Sequence, residues 1–166
     1  MANLFDIREM LKMAIREEQA GYDYYLFLSR NARAEEVKKL TERLAGMEQY
    51  HEKLFTELLA SLEDYRPVEN YPGEYDSYLN ALMEGRMFPE EDKSKFMIEA
   101  AGKDDLAAIN LALLFERSTL LLFREVENFV PGKDSKTQEI IKRIISEEKQ
   151  HLVDLSVMKN KLKKTH

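Results

Sequence analysis

A chain of 166 residues suits one domain, here taken as residues 1–166, and is long enough to bury a core without disulfides or a structural zinc cluster. It contains no cysteine, which excludes disulfides, zinc–cysteine sites and iron–thiolate centres within these residues and accords with a reducing compartment. The net charge is −6, and basic residues are interleaved with acidic ones, so the basic stripe of a nucleic-acid surface is missing.

The start, Met1-Ala2-Asn3-Leu4-Phe5-Asp6, lacks the basic and apolar runs of a signal peptide, and no run of about 20 apolar residues reads as a membrane span. A cytoplasmic protein with no nucleic-acid or membrane partner is expected. Lys159, Lys161, Lys163 and Lys164 read as a complement to a helix dipole and a solubilising tail.

In chain order, the first predicted helix spans about Ile7 to Asn31. Asp6 and Glu9 form a capping-box pattern, and Ile7, Leu11, Ala14, Glu18, Gly21/Tyr22 and Tyr25 recur at helical spacing. The second spans about Ala34 to Tyr65, with the stripe Leu40, Leu44, Met47, His51, Leu54/Phe55, Leu58 and Leu62. A connection from about Arg66 to Asp104 is broken by Pro67, Pro72, Gly73 and Pro89, with short helical pieces near Ser77–Met83 and Lys93–Ala101. A third helix starts at the N-cap signal Asp104/Asp105 and runs to about Val130, with Ile109, Leu113, Glu116, Leu120, Phe123 and Val126 on one face. After the Pro131-Gly132 turn, Ser135 and Gln138 suggest a second capping box. The fourth helix reaches about Lys163 through Ile141, Ile144/Ile145, Glu148, His151/Leu152, Leu155 and Met158.

No segment alternates as a strand does, so the fold class is all-α. Two helical hairpins joined by a connection of roughly 40 residues predict a four-helix bundle in which the long crossover lets the second and third helices run parallel. The halves form a weak repeat: Ala14-x3-Glu18-x3-Tyr22-x2-Tyr25 aligns with Ala112-x3-Glu116-x3-Leu120-x2-Phe123, and Glu48-x-x-His51 with Glu148-x-x-His151.

Each long helix thus carries one glutamate at or beside its apolar stripe, and the second and fourth add a histidine three residues later, on the same face. Glu18 lies about 14 residues before the first turn and Glu48 about 16 after it, so both sit roughly 21–24 Å from the turn. Glu116 and Glu148 are likewise level about the Pro131-Gly132 turn. Four carboxylates and two imidazoles therefore share one layer of the core.

Unpaired charges cost several kcal/mol each to bury, and no lysine or arginine interrupts the stripes at that level. Two divalent ions would balance the four glutamates, and oxygen plus imidazole donors suit iron or manganese, with zinc also compatible. Glutamate makes up 22 of 166 residues, so one Glu-x-x-His arises by chance roughly one time in eight and both roughly one in sixty. Placement on core stripes at matching height makes coincidence a poor account.

The pattern Glu18, Glu48-x-x-His51, Glu116, Glu148-x-x-His151, with the run AIREEQAGYDYY around the first glutamate, resembles the rubrerythrin branch of the ferritin-like di-iron carboxylate superfamily. The resemblance spans all four long helices. It implies a ferritin-like bundle binding two iron ions, with Glu48 and Glu148 bridging, Glu18 and Glu116 terminal, and His51 and His151 each completing one ion. Two departures stand out. No cysteine-bearing rubredoxin module lies within these residues, so electrons are expected from an external donor. Thr119 stands where rubrerythrin has a further glutamate, which puts redox-linked ligand exchange and peroxidase activity in question.

The expected function is redox chemistry at a di-iron centre, as a ferroxidase or a rubrerythrin-type peroxide reductase relevant to oxidative stress, with O2 or peroxide as substrate. The alternatives are an iron protein that buffers or senses without turnover, and a metal-free helical interaction module. Ferritin-like relatives pair through their hairpins, which implies a homodimer. No catalytic residue is assigned beyond the metal ligands.

Other residues receive plainer readings. Glu17 and Glu147 are expected to face solvent, and Tyr22 and Tyr25 to line the site face as core aromatics. Gly21 either permits close helix approach or is incidental, and Asp154 lies on an exposed face. His166 is terminal, the methionines fill core gaps, and the two buried histidines are expected to be neutral.

Overall fold

The computed structural model describes residues 7–62, 104–130 and 134–164, with single positions between them. Four helices make up the bundle: α1 (Ile7–Asn31), α2 (Glu35–Ser61), α3 (Asp105–Phe129) and α4 (Ser135–Lys164). No strand occurs among the described residues. α1 packs on α2 and α3 on α4 as hairpins, and the hairpins meet through α1 with α3 and α2 with α4.

The contacts fix the direction of each helix. The Tyr24 hydroxyl near the end of α1 donates to the Ala108 carbonyl at the start of α3 (2.8 Å), so these two helices are antiparallel. Lys161 near the end of α4 meets Glu36 at the start of α2. α2 and α3 therefore run parallel, which is the arrangement the long crossover allows.

Caps define the helix starts. The Asp104 carboxylate accepts from Ala107 N (2.6 Å) as N-cap of α3. Ala34, the N-cap of α2, has no side-chain oxygen and makes no side-chain cap. The Asp105 carboxylate on α3 accepts from Arg33 N (2.9 Å) and Ala34 N (2.6 Å), pinning the α1–α2 turn to the second hairpin.

Some boundaries differ from those the sequence suggests. α4 is capped by Asp134, whose carboxylate accepts from Thr137 N (3.1 Å), so Ser135 is its first helical residue rather than a cap. α2 ends at Ser61 with Leu62 as C-cap, short of Tyr65. Asp6 of the first capping box lies outside the described residues. So do most of the two short pieces in the connection, of which Ser77, Ala81, Ile98 and Glu99 are described and helical.

α3 is long and apolar enough to cross a membrane by length and composition, its most apolar window having a mean hydropathy of 1.6. Counting uninterrupted apolar residues missed this. Its place in the bundle accounts for part of the composition: Ile109, Ala112, Phe115, Phe123 and Val126 on α3 are buried against the other helices, while Leu114 and Leu121 are exposed.

The core is divided in two. One apolar cluster, including Tyr24, Leu28, Leu44, Ile109 and Leu155, lies towards the α1–α2 turn. The other, including Leu11, Phe55, Phe123, Ile141 and Ile145, lies towards the α3–α4 turn. Between them is a layer of buried polar side chains.

Candidate metal centre

That layer contains the six residues singled out in the sequence. Glu18, Glu48, His51, Glu116, Glu148 and His151 are all at most 1% exposed. α1 and α3 contribute one carboxylate each, and α2 and α4 each contribute a glutamate and, one turn later, a histidine on the same face.

Their donor atoms fall into two groups of four. Glu18, Glu48, His51 and Glu148 can each offer an atom within 4.8 Å of the others, and so can Glu48, Glu116, Glu148 and His151. Glu48 and Glu148 belong to both groups. His51 Nδ1 lies 2.7 Å from Glu148 Oε1 and 3.5 Å from Glu18 Oε1. His151 Nδ1 lies 3.3 Å from Glu48 Oε1, 3.2 Å from Glu148 Oε2 and 3.5 Å from Glu116 Oε1. The rings sit 5.8 Å apart between centroids and nearly parallel, at 21°.

Proximity here is not hydrogen bonding. Both oxygens of Glu18, Glu48 and Glu148, Oε2 of Glu116, and Nδ1 of both histidines are buried without a protein hydrogen-bond partner. Buried polar atoms are nearly always paired, and orphaning each costs about 1–3 kcal/mol. A concentration of such atoms, all carboxylate oxygen or imidazole nitrogen, fits a pair of hard divalent cations.

Without an ion, the layer is electrostatically frustrated. Burial, then Glu48, Glu148 and Glu116, push the Glu18 carboxyl well above its usual range. Burial and Glu148 raise Glu116 to about 7, against the opposing pull of His151. Burial and Glu48 also act to raise Glu148, but the two imidazoles overcome them and hold it below its usual value. Burial favours neutral histidines, as expected from sequence. Instead, Glu148 and Glu48 raise His51, and Glu116, Glu148 and Glu48 raise His151 further.

The surrounding residues include several surprises. Tyr25 lies on the site face, and its hydroxyl donates to Glu116 Oε1; burial and Glu116 push its pKa up, so it remains a phenol. Tyr22 is only half-buried, whereas Tyr24, unnoticed in sequence, is fully buried. Glu17 is buried at 3% exposure rather than facing solvent. Glu147 is half-buried, and its Oε2 lies 2.8 Å from His51 Nε2.

Asp154 pairs with Arg43 (2.6 Å) and Gln150 (2.8 Å) at the rim, and against the effect of burial these partners hold its carboxyl below its usual range. Thr119 is buried with its hydroxyl unpartnered. Gly21 does permit close approach: a Cβ there would lie 3.0 Å from Phe115 Cε1 and 3.2 Å from Glu48 Cδ.

Comparison with known proteins gives the family and the fold. The rubrerythrin family model matches residues 9–113, which include Glu18, Glu48 and His51 but stop short of Glu116, Glu148 and His151. None of the curated proteins matches the sequence. Among solved structures, a Thermotoga maritima protein provisionally described as a ferritin-like diiron-carboxylate protein superposes with a TM-score of 0.70, covering 94% of this chain and 95% of its own. At 22% identity that likeness is one of fold, a ferritin-like four-helix bundle.

Proposed function

The chain belongs to the rubrerythrin family, and we propose that its polar layer binds two iron ions and couples Fe(II) oxidation to reduction of peroxide or O2. One observation carries the reading: two four-residue donor groups share Glu48 and Glu148, and nearly all their donor atoms are buried without protein partners. In this reading Glu48 and Glu148, common to both groups, would serve both ions, Glu18 and His51 would help hold one, and Glu116 and His151 the other.

Two bound Fe(II) ions would supply two electrons, which with two protons convert hydrogen peroxide to two waters. The protein's part is to hold charge and exclude bulk water. Four glutamates offset the positive charge that grows on oxidation. Tyr25 holds Glu116 through its hydroxyl, and the apolar clusters on either side keep the layer dry. An external donor would return the electrons.

Thr119 favours a second reading. A threonine there leaves no extra carboxylate to exchange with a ligand, so the site could hold iron in a fixed set without turnover, as a buffer or sensor does. Anaerobic Fe(II) loading followed by stopped-flow mixing with peroxide, and separately with O2, distinguishes the two. The proposal expects absorbance of oxidised iron to appear in a rapid phase and to recur after chemical re-reduction. Two Fe(II) ions that bind but stay reduced on the timescale of free Fe(II) would sink the redox reading in favour of storage.

A further inference from the structure

The two halves of the site differ outside the ligand set. His51 Nε2 faces Glu147 Oε2 at 2.8 Å, while His151 Nε2 is buried without a protein hydrogen-bond partner. The sequence repeat matches the difference. His51 on α2 meets Glu147, the residue preceding Glu148 on α4, and the position that aligns with Glu147 in the other half is Met47, which precedes Glu48. A thioether cannot do the work of a carboxylate there.

Glu147 is itself supported. Its Oε1 lies 3.8 Å from Arg143 Nε, and Arg143 also donates to the Tyr50 hydroxyl (2.7 Å) and covers the Tyr50 ring at 5.5 Å. A carboxylate opposite Nε2 keeps the proton on that nitrogen, fixes the ring rotation, and leaves the Nδ1 lone pair directed into the layer. In the other half the outer contact is to the carboxylate rather than the imidazole: Tyr25 donates to Glu116 Oε1, and Glu116 Oε2 has no protein partner.

We propose that Glu147 is a positioning residue that makes the His51 half-site the tighter of the two, so that the ions load in order, first at Glu18/His51 and then at Glu116/His151. The inference rests on the two-ion reading of the site. Outer partners of this kind typically change metal affinity by about 10–100-fold.

The test is anaerobic titration of metal-free protein with Co(II), followed by calorimetry and by the visible spectrum after each equivalent. Wild type should bind two ions in two resolved steps. Glu147→Gln should weaken the first step by roughly 10–100-fold and alter the one-equivalent spectrum, with the stoichiometry still two. In a His151→Ala background, where one half-site remains, the same substitution should weaken that single binding event. In a His51→Ala background it should change nothing. Unchanged helical circular dichroism in each variant ensures that folded protein is compared. Equal weakening of both steps, an effect confined to the second, or no effect would overturn the inference while leaving the site intact. Failure of wild type to bind two ions would overturn the site reading and the inference with it.

Discussion

The Tyr25 hydroxyl on α1 donates to the Glu116 carboxylate on α3, the one hydrogen bond that a protein side chain outside the six makes to a glutamate of the layer among the described contacts. It joins the two hairpins at the level of the site, and both groups are buried. Tyr25→Phe deletes the donor and keeps the ring. Leaving a buried carboxyl oxygen unpaired costs about 1–3 kcal/mol. The metal-free protein should therefore lose about that much stability in urea, with an unchanged denaturant slope. A loss of a few tenths would mean that Glu116 finds another partner.

Glu48 and Glu148 stand in both donor groups, and the other four residues in one group each. Glu48→Ala or Glu148→Ala should therefore remove at least one ion and weaken the other. His51→Ala and His151→Ala should each impair a different ion and leave about one equivalent tightly bound. Elemental analysis after gel filtration reads this directly. Two full equivalents retained in both bridging variants would dismiss the sharing; unchanged stoichiometry and spectra in both histidine variants would remove them as ligands.

Gly21 sets helix propensity against site geometry. Replacing a mid-helix glycine by alanine gains about 1 kcal/mol in propensity. Here the new Cβ would press on Phe115 at 3.0 Å and on Glu48 Cδ at 3.2 Å. Gly21→Ala should change metal-free stability by no more than about 1 kcal/mol while lowering metal affinity, because Glu48 must shift to make room. Gly21→Val, with its branched Cβ, should lower both. Tighter metal binding by Gly21→Ala would show that the glycine is incidental.

The parts of this structure legible in the sequence share one property: they depend on a single helix or on one hairpin's arithmetic. Helical spacing placed the four long helices, and a glutamate interrupting each apolar stripe marked the layer. Residues one position from a ligand were misjudged because their environment belongs to another helix. Glu147 lies about 100° around α4 from Glu148, which reads as a solvent face until α2 brings His51 Nε2 against it. Tyr24 is similarly offset from Tyr25 and becomes core only where α1 packs on α3. At the start of α4, two adjacent capping residues competed. The pattern favoured Ser135 with Gln138, whereas Asp134 supplies the oxygen that accepts from Thr137 N. The charge of the histidines went wrong for a related reason: burial alone favours the neutral ring, but for His151 the carboxylates of Glu116 on α3, Glu48 on α2 and Glu148 on α4 itself outweigh it.

The same electrostatics predict opposite pH responses for the metal-free and metal-loaded protein. In the metal-free form Glu18 and Glu116 have raised folded values, about 7 for Glu116 against 4.5 for the ordinary carboxyl. A raised group contributes stability that is complete below its unfolded value and fades as pH climbs through the folded one. For Glu116 that loss falls between about pH 4.5 and 7 and is on the order of 3 kcal/mol. The histidines are raised too, so their contribution is complete below 6.5 and declines above it. Glu148 runs the other way: its value is lowered, so it stabilises above 4.5 and that contribution is lost as pH falls through the folded value. Metal-free protein should accordingly be most stable near pH 4.5–5 and weaken steadily towards pH 8. In loaded protein, protons compete with metal for the same atoms, so stability should rise over that range. Binding to the folded state alone adds about 2.7 kcal/mol at a hundredfold excess over Kd for each site. Thermal melts of both forms across this interval should diverge as pH increases. Parallel curves would mean that the four glutamates and two histidines do not act as one buried, metal-binding layer.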